Sequence, residues 1–136
     1  MNIEQSCKCG GVEITIREKP VLELCCHCED CRAGTGKPFT NLAFFETETL
    51  TIDGRLSAVE YVAESGNKTR RESCKSCGVT LFDRSEGFPT LVGLMVDSVD
   101  YPFDFTPSCH VWTSSKLDEV EIPPGIKCHE KGIVRP

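Results

Sequence analysis

Val12, Ile14 and Ile16 alternate with Glu13, Thr15 and Arg17, the two-residue period of a strand that buries one face. Pro20 stops that pattern, and residues 21–24 predict a second strand running straight into a dense group of cysteines. From Thr40 onward short apolar-rich runs recur at 41–45, 49–52, 56–62, 69–73, 79–82 and 91–96. Turn chemistry separates several of them, at Asp53-Gly54, Ser65-Gly66-Asn67 and Glu86-Gly87-Phe88-Pro89. No segment sustains a 3.6-residue period, and a short helical turn at 29–33 is the only helix expected. The fold class read from this is mainly β. Residues 122–136 are expected to be irregular, because Pro123-Pro124 removes two ladder donors and Gly125 follows.

With 136 residues, 39% of them hydrophobic and 26% charged, the chain suits a single domain, 1–136, able to bury a sizeable core. It contains no apolar run long enough to cross a bilayer and no secretory leader, so the sequence reads as cytoplasmic and independent of membranes. A formal charge of -6 argues against nucleic acid, whose phosphates are bound by clustered Lys and Arg. The one basic cluster, Lys68-Thr69-Arg70-Arg71, reads as a solvated strand or turn.

Ten cysteines change the picture. In a reducing compartment a disulfide framework explains them poorly, which leaves metal ligation as the leading account. Cys74-Lys75-Ser76-Cys77 is a C-x-x-C knuckle, half of a structural zinc site, and a tetrahedral ion needs a second pair. Cys7 and Cys9, followed by two glycines that allow a sharp turn, can supply it. A closed site of Cys7, Cys9, Cys74 and Cys77 would tie the start of the chain to its middle and add directly to folding.

Cys26, Cys28 and Cys31 then stand apart as three thiols within six residues. In an extended backbone Cys25 faces away when Cys26 faces a metal. Three protein ligands with a fourth place left for water or substrate make a catalytic zinc, and four make a structural one. His27 is one contender for that fourth place and reads better as a neighbour of the ligands. Cys25, Cys109 and Cys128 read as small buried or tail residues. His110, close to Trp112, is either a proton shuttle or part of a β core.

Ser6-Cys7-Lys8-Cys9-Gly10-Gly11-Val12, Cys26-His27-Cys28-Glu29-Asp30-Cys31-Arg32 and Cys74-Lys75-Ser76-Cys77-Gly78 together resemble the glutathione-dependent formaldehyde-activating enzyme family, also called the S-(hydroxymethyl)glutathione synthase family. The resemblance runs from about Ser6 to Pro124 and is sharp at the cysteines. It implies a β-tent fold of antiparallel sheets around two zinc ions per chain. It implies a structural zinc on Cys7, Cys9, Cys74 and Cys77 and a catalytic zinc on Cys26, Cys28 and Cys31. The implied activity is that of a carbon–sulfur lyase acting on an adduct of glutathione, or another thiol, with formaldehyde or a related small aldehyde. The segment from Gly93 to Pro102 resembles the family's glycine-led strand and acidic turn. Two other functional classes fit the residues: a non-catalytic zinc-stabilised binding module, and a dithiol oxidoreductase at Cys74-x-x-Cys77. The oxidoreductase ranks last, because no helix is expected to start there.

Overall fold

The computed structural model describes residues 1–133. In chain order its regular elements are β1 (Ile3–Ser6), β2 (Val12–Ile16), β3 (Leu22–Cys26), α1 (Glu29–Thr35), β4 (Thr40–Glu46), β5 (Leu50–Gly54), β6 (Leu56–Val62), β7 (Lys68–Cys74), β8 (Thr80–Ser85), β9 (Leu91–Met95), β10 (Cys109–Val111) and β11 (Lys127–Cys128). Three single-turn 3₁₀ segments lie at Thr47–Thr49, Val96–Ser98 and Thr113–Ser115. The protein is mainly β, as its strand-and-turn pattern predicts.

The strands form two sheets. A small antiparallel sheet has the order β1-β2-β5, and a larger one the order β11-β10-β3-β4-β9-β8-β7-β6. Val12, Ile14 and Ile16 are fully buried, so the alternation along β2 does set one face of the small sheet against the core. The facing residues come from the large sheet: Ala43 and Phe45 of β4, Val92 and Leu94 of β9.

Side chains alternate across a strand, so the neighbours of those residues face the other side of the large sheet. There Leu24 and Cys26 of β3, Leu42 of β4, Met95 of β9 and Val111 of β10 form a second cluster around Cys28 and Cys31. One sheet therefore serves two purposes, a core on one face and a cysteine-rich pocket on the other.

Three features depart from the sequence pattern. β1 and β10 carry too few apolar residues to register as strands on their own; β1 is held by antiparallel pairing to β2. β10 pairs with β3 in parallel, and β11 with β10 likewise. Parallel neighbours need a long crossover, which residues 112–126 provide between β10 and β11. The tail is thus less irregular than its prolines suggest, since Lys127–Cys128 joins the sheet. The part of that expectation falling on 134–136 lies outside the described residues. No helix among the described residues is long and apolar enough to cross a membrane.

Candidate metal centres

Two groups of sulfur atoms are drawn together, Cys7 with Cys9, Cys74 and Cys77, and Cys26 with Cys28 and Cys31, each with its atoms within 4.8 Å of one another. The first lies where the small sheet meets the large one. Cys7 follows β1, and Gly10, at a φ of 75°, turns the chain back so that its N–H donates to the Cys7 carbonyl at 2.9 Å. That turn brings Cys7 Sγ and Cys9 Sγ to 3.6 Å, and Cys9 Sγ lies equally far from Cys74 Sγ at the end of β7. The knuckle closes through the Gly78 N–H, which donates to the Cys74 carbonyl at 2.8 Å. A Cβ on Gly11 would stand 3.1 Å from Cys9 Sγ and 3.3 Å from Cys74 Sγ, so the backbone itself packs against the sulfurs. Four soft donors at mutual reach, two buried and two exposed, fit a tetrahedral zinc. The Cys77 N–H holds the Cys74 thiol down at about 6, towards the thiolate that metal ligation requires.

The second group is built by the end of β3 and the start of α1. Cys26 is the last residue of β3, Cys28 is the N-cap of α1, and Cys31 lies in its first turn. Cys28 Sγ accepts the Cys31 N–H at 3.2 Å, the place usually taken by a Ser or Asp oxygen. Cys26 Sγ is 3.4 Å from Cys28 Sγ and 3.4 Å from Cys31 Sγ. Hydrogen bonds from Cys26 and then Cys31 hold the Cys28 thiol down at about 3, while Cys26 and Cys31 are pushed up. All three are buried, and as a set of three thiols they fit zinc with a place left over.

The neighbouring residues have other partners. Cys25 points to the opposite face of β3, where its Sγ donates to Asn41 Oδ1 at 3.2 Å; Asn41 Nδ2 in turn donates to Asp97, 3.3 Å away. His27 is fully buried and turned from the sulfurs, its Nε2 2.8 Å from His110 Nδ1. Cys109 is buried beside β3, and Cys128 is exposed on β11. Arg71, expected in a solvated cluster, is buried instead. Its Nη1 donates to the Asp30 carbonyl at 2.8 Å and its guanidinium lies over the Tyr61 ring. Of that cluster only Arg70 stays at the surface as a paired charge, with Glu60 and Glu72.

A cavity of about 180 Å³ is lined by Cys26, Cys28 and Cys31. Leu22, Leu24, Leu42, Phe44, Phe88 and Leu91 make much of its wall. Its polar side includes Asp30, Tyr61, Thr69 and Asp83. Trp112, in the left-handed backbone region at a φ of 58°, and Ile133 of the tail complete it. Burial pushes the Asp83 carboxyl up to about 6 against the pull of Arg71, and Asp83 Oδ1 is buried with no hydrogen-bond partner among the described residues. His110 does not line this cavity; Val111, its neighbour on the other face of β10, does. Nothing in the sequence marks Asp83, a lone acid in a short strand. Of the apolar wall, only Leu24 and Leu22 follow from alternation back from Cys26 along β3; Leu42, Phe44 and Leu91 reach it through strand pairing.

The family model for glutathione-dependent formaldehyde-activating enzyme matches residues 2–115. An uncharacterized lyase of Schizosaccharomyces pombe is 35% identical over 80 residues, 58% of this chain; the chain spans about half of that relative, 55% of its length. A crystal structure of a Rhodobacter sphaeroides protein superposes with a TM-score of 0.54 at 18% identity, covering 93% of this chain and 99% of that one, a likeness of fold.

Proposed function

The chain belongs to the glutathione-dependent formaldehyde-activating enzyme family, and on that premise we propose that it is a zinc-dependent carbon–sulfur lyase. Its substrate in this reading is an adduct of glutathione, or another thiol, with formaldehyde or a related small aldehyde. Cys7, Cys9, Cys74 and Cys77 would hold a structural zinc, and Cys26, Cys28 and Cys31 a catalytic one. The observation that carries the reading is the position of the three-sulfur group, which lines a cavity while His27 is engaged by His110.

Zinc at such a site would lower the pKa of a bound thiol so that thiolate exists at neutral pH, a better fit to a set of three anionic ligands than strong carbonyl polarisation. The chain's own residues supply the remaining functions. The leucine and phenylalanine wall excludes water and orients the adduct. Cleavage breaks the C–S bond with its electron pair going to sulfur, while the hydroxyl loses its proton as the carbonyl forms. Asp83 is the group that would receive that proton: it lines the cavity, and with a carboxyl pushed up to about 6 it is ionised at pH 7 yet a useful base.

Metal content measured by mass spectrometry tests the assignment. Two zinc ions are expected in the wild type and one in Cys28→Ser, with loss of hemithioacetal cleavage in the variant. A wild-type value of one or none overturns the two-site reading, and full turnover in Cys28→Ser overturns the catalytic role of the second site.

A further inference from the structure

The wall of the cavity beside Cys26, Cys28 and Cys31 is mostly carbon, contributed by three adjacent strands. Leu22 and Leu24 come from β3, Leu42 and Phe44 from β4, and Leu91 from β9. Phe88 is set against Phe44, with ring centroids 6.3 Å apart. The absence of a side chain at Gly93 leaves room for the Phe44 ring, since a Cβ would stand 3.1 Å from its Cε1. A space of about 180 Å³ is far more than the single carbon of formaldehyde fills. Leu-, Ile- and Phe-lined cavities of about 150 Å³ stay dry and take up benzene.

The charged rim points the same way. The acidic residues Asp30 and Asp83 line the cavity, and among the described residues no Lys or Arg does. Arg71 lies behind, donating to the Asp30 carbonyl and covering Tyr61. The two carboxylates of glutathione would meet acidic residues there and, among the described residues, no cationic partner to offset the loss of their water.

We infer that the cavity seats an apolar group of about aromatic-ring size, so that the adduct cleaved here is a hemithioacetal bearing such a group on its aldehyde or its thiol half. This rests on the lyase reading above. The reaction remains redox-neutral: RS–CH(OH)–R′ gives RS–H and O=CH–R′, the C–S electron pair and the hydroxyl proton both ending on the thiol.

The chain's single tryptophan, Trp112, lines the cavity and reports on its occupancy. Toluene, which has neither thiol nor carbonyl, is titrated into the full chain while Trp112 emission is followed. A saturable change is expected, with affinity reduced at least fivefold in Leu91→Phe and Leu22→Phe, whose added rings fill the space. Both positions are half-buried, and thermal melting checks that each variant folds. No saturable change in the wild type overturns the inference without recourse to the variants; undiminished binding in the folded variants overturns it as well.

Turnover of the zinc-loaded chain then distinguishes the source of the ring. The substrates are the adducts of phenylacetaldehyde with glutathione, formaldehyde with benzyl mercaptan, and formaldehyde with glutathione. One of the first two is expected to exceed the third in kcat/KM by at least tenfold, and a preference for the third overturns the inference. Toluene binding with no turnover of any adduct leaves the apolar seat standing and overturns the lyase reading.

Discussion

His27 Nε2 and His110 Nδ1 lie 2.8 Å apart in the interior, joining the loop between Cys26 and Cys28 to β10. The two ring centroids are 5.1 Å apart, and the Phe39 ring lies 5.3 Å from that of His27, tilted by 34°. Burial pushes His27 down to about 4, with His110 a further cause, and burial lowers His110 too, so both are neutral at pH 7 and one can donate to the other. His110→Ala leaves a buried ring nitrogen of His27 without its partner. We expect a loss of about 1–3 kcal/mol of stability in denaturant titration, with kcat unchanged within about twofold because His110 is outside the cavity. A large fall in kcat with normal stability would instead make His110 a proton shuttle.

Asp83→Asn separates stability from catalysis. The folded-state carboxyl, at about 6 against an ordinary 3.8, binds its proton more tightly than the unfolded chain does. Its contribution to stability is therefore present at low pH and is lost as pH rises through about 6. The variant lacks this loss, so its stability advantage should grow from little at pH 4 to on the order of 3 kcal/mol at pH 7. Turnover should fall by about 10² if the carboxylate takes the hydroxyl proton. Denaturant curves at several pH values and steady-state rates check the two halves independently.

Gly54→Ala should be more damaging than its exposed position suggests. At a φ of 135°, a Cβ there would stand 2.3 Å from the Gly11 carbonyl oxygen and 2.8 Å from Val12 Cα. The residue pairs with Val12 in the small sheet, next to the turn that carries Cys7 and Cys9. A cost of about 2–4 kcal/mol is expected in denaturant unfolding, from strain and backbone clash together. Zinc should also be lost more readily from the first site than in the wild type.

The two sulfur groups should respond differently to a chelator. Cys9 and Cys77 are exposed, whereas Cys26, Cys28 and Cys31 are all buried. The first site is therefore expected to exchange metal faster. Its removal should lower the melting temperature by on the order of 10 °C or more, as it joins the two sheets. Cys77→Ser should reproduce that loss of stability, and Cys28→Ser should abolish turnover with the smaller thermal effect. Calorimetry with parallel metal analysis checks the order.

Periodicity made β2 and most of the large sheet legible, because a strand with one buried face must alternate, and Val12, Ile14 and Ile16 do. Cysteine spacing was equally informative about which sulfurs could meet, since C-x-C and C-x-x-C pairs bring their own geometry. The parallel additions β10 and β11 were not legible: Cys109-His110-Val111 is too short to show a period, and its pairing with β3 is a long-range choice. The basic cluster misled for a related reason. Arg71 alternates with Arg70 along β7, so one charge faces water and the other is buried over Tyr61. Asp83 and the tail residues of the cavity gain their meaning only from what packs around them.

The wall completed by Gly132 and Ile133 has a consequence for how such a protein diversifies. The tail folds back along residues 112–114, with the Trp112 N–H donating to the Lys131 carbonyl and the Thr113 N–H to that of His129. The family match ends at residue 115, before any of the tail that reaches the cavity. The C-terminal segment, whose Ile133 packs against the cluster holding Cys26, Cys28 and Cys31, can therefore reshape the cavity from outside the stretch that the family model covers.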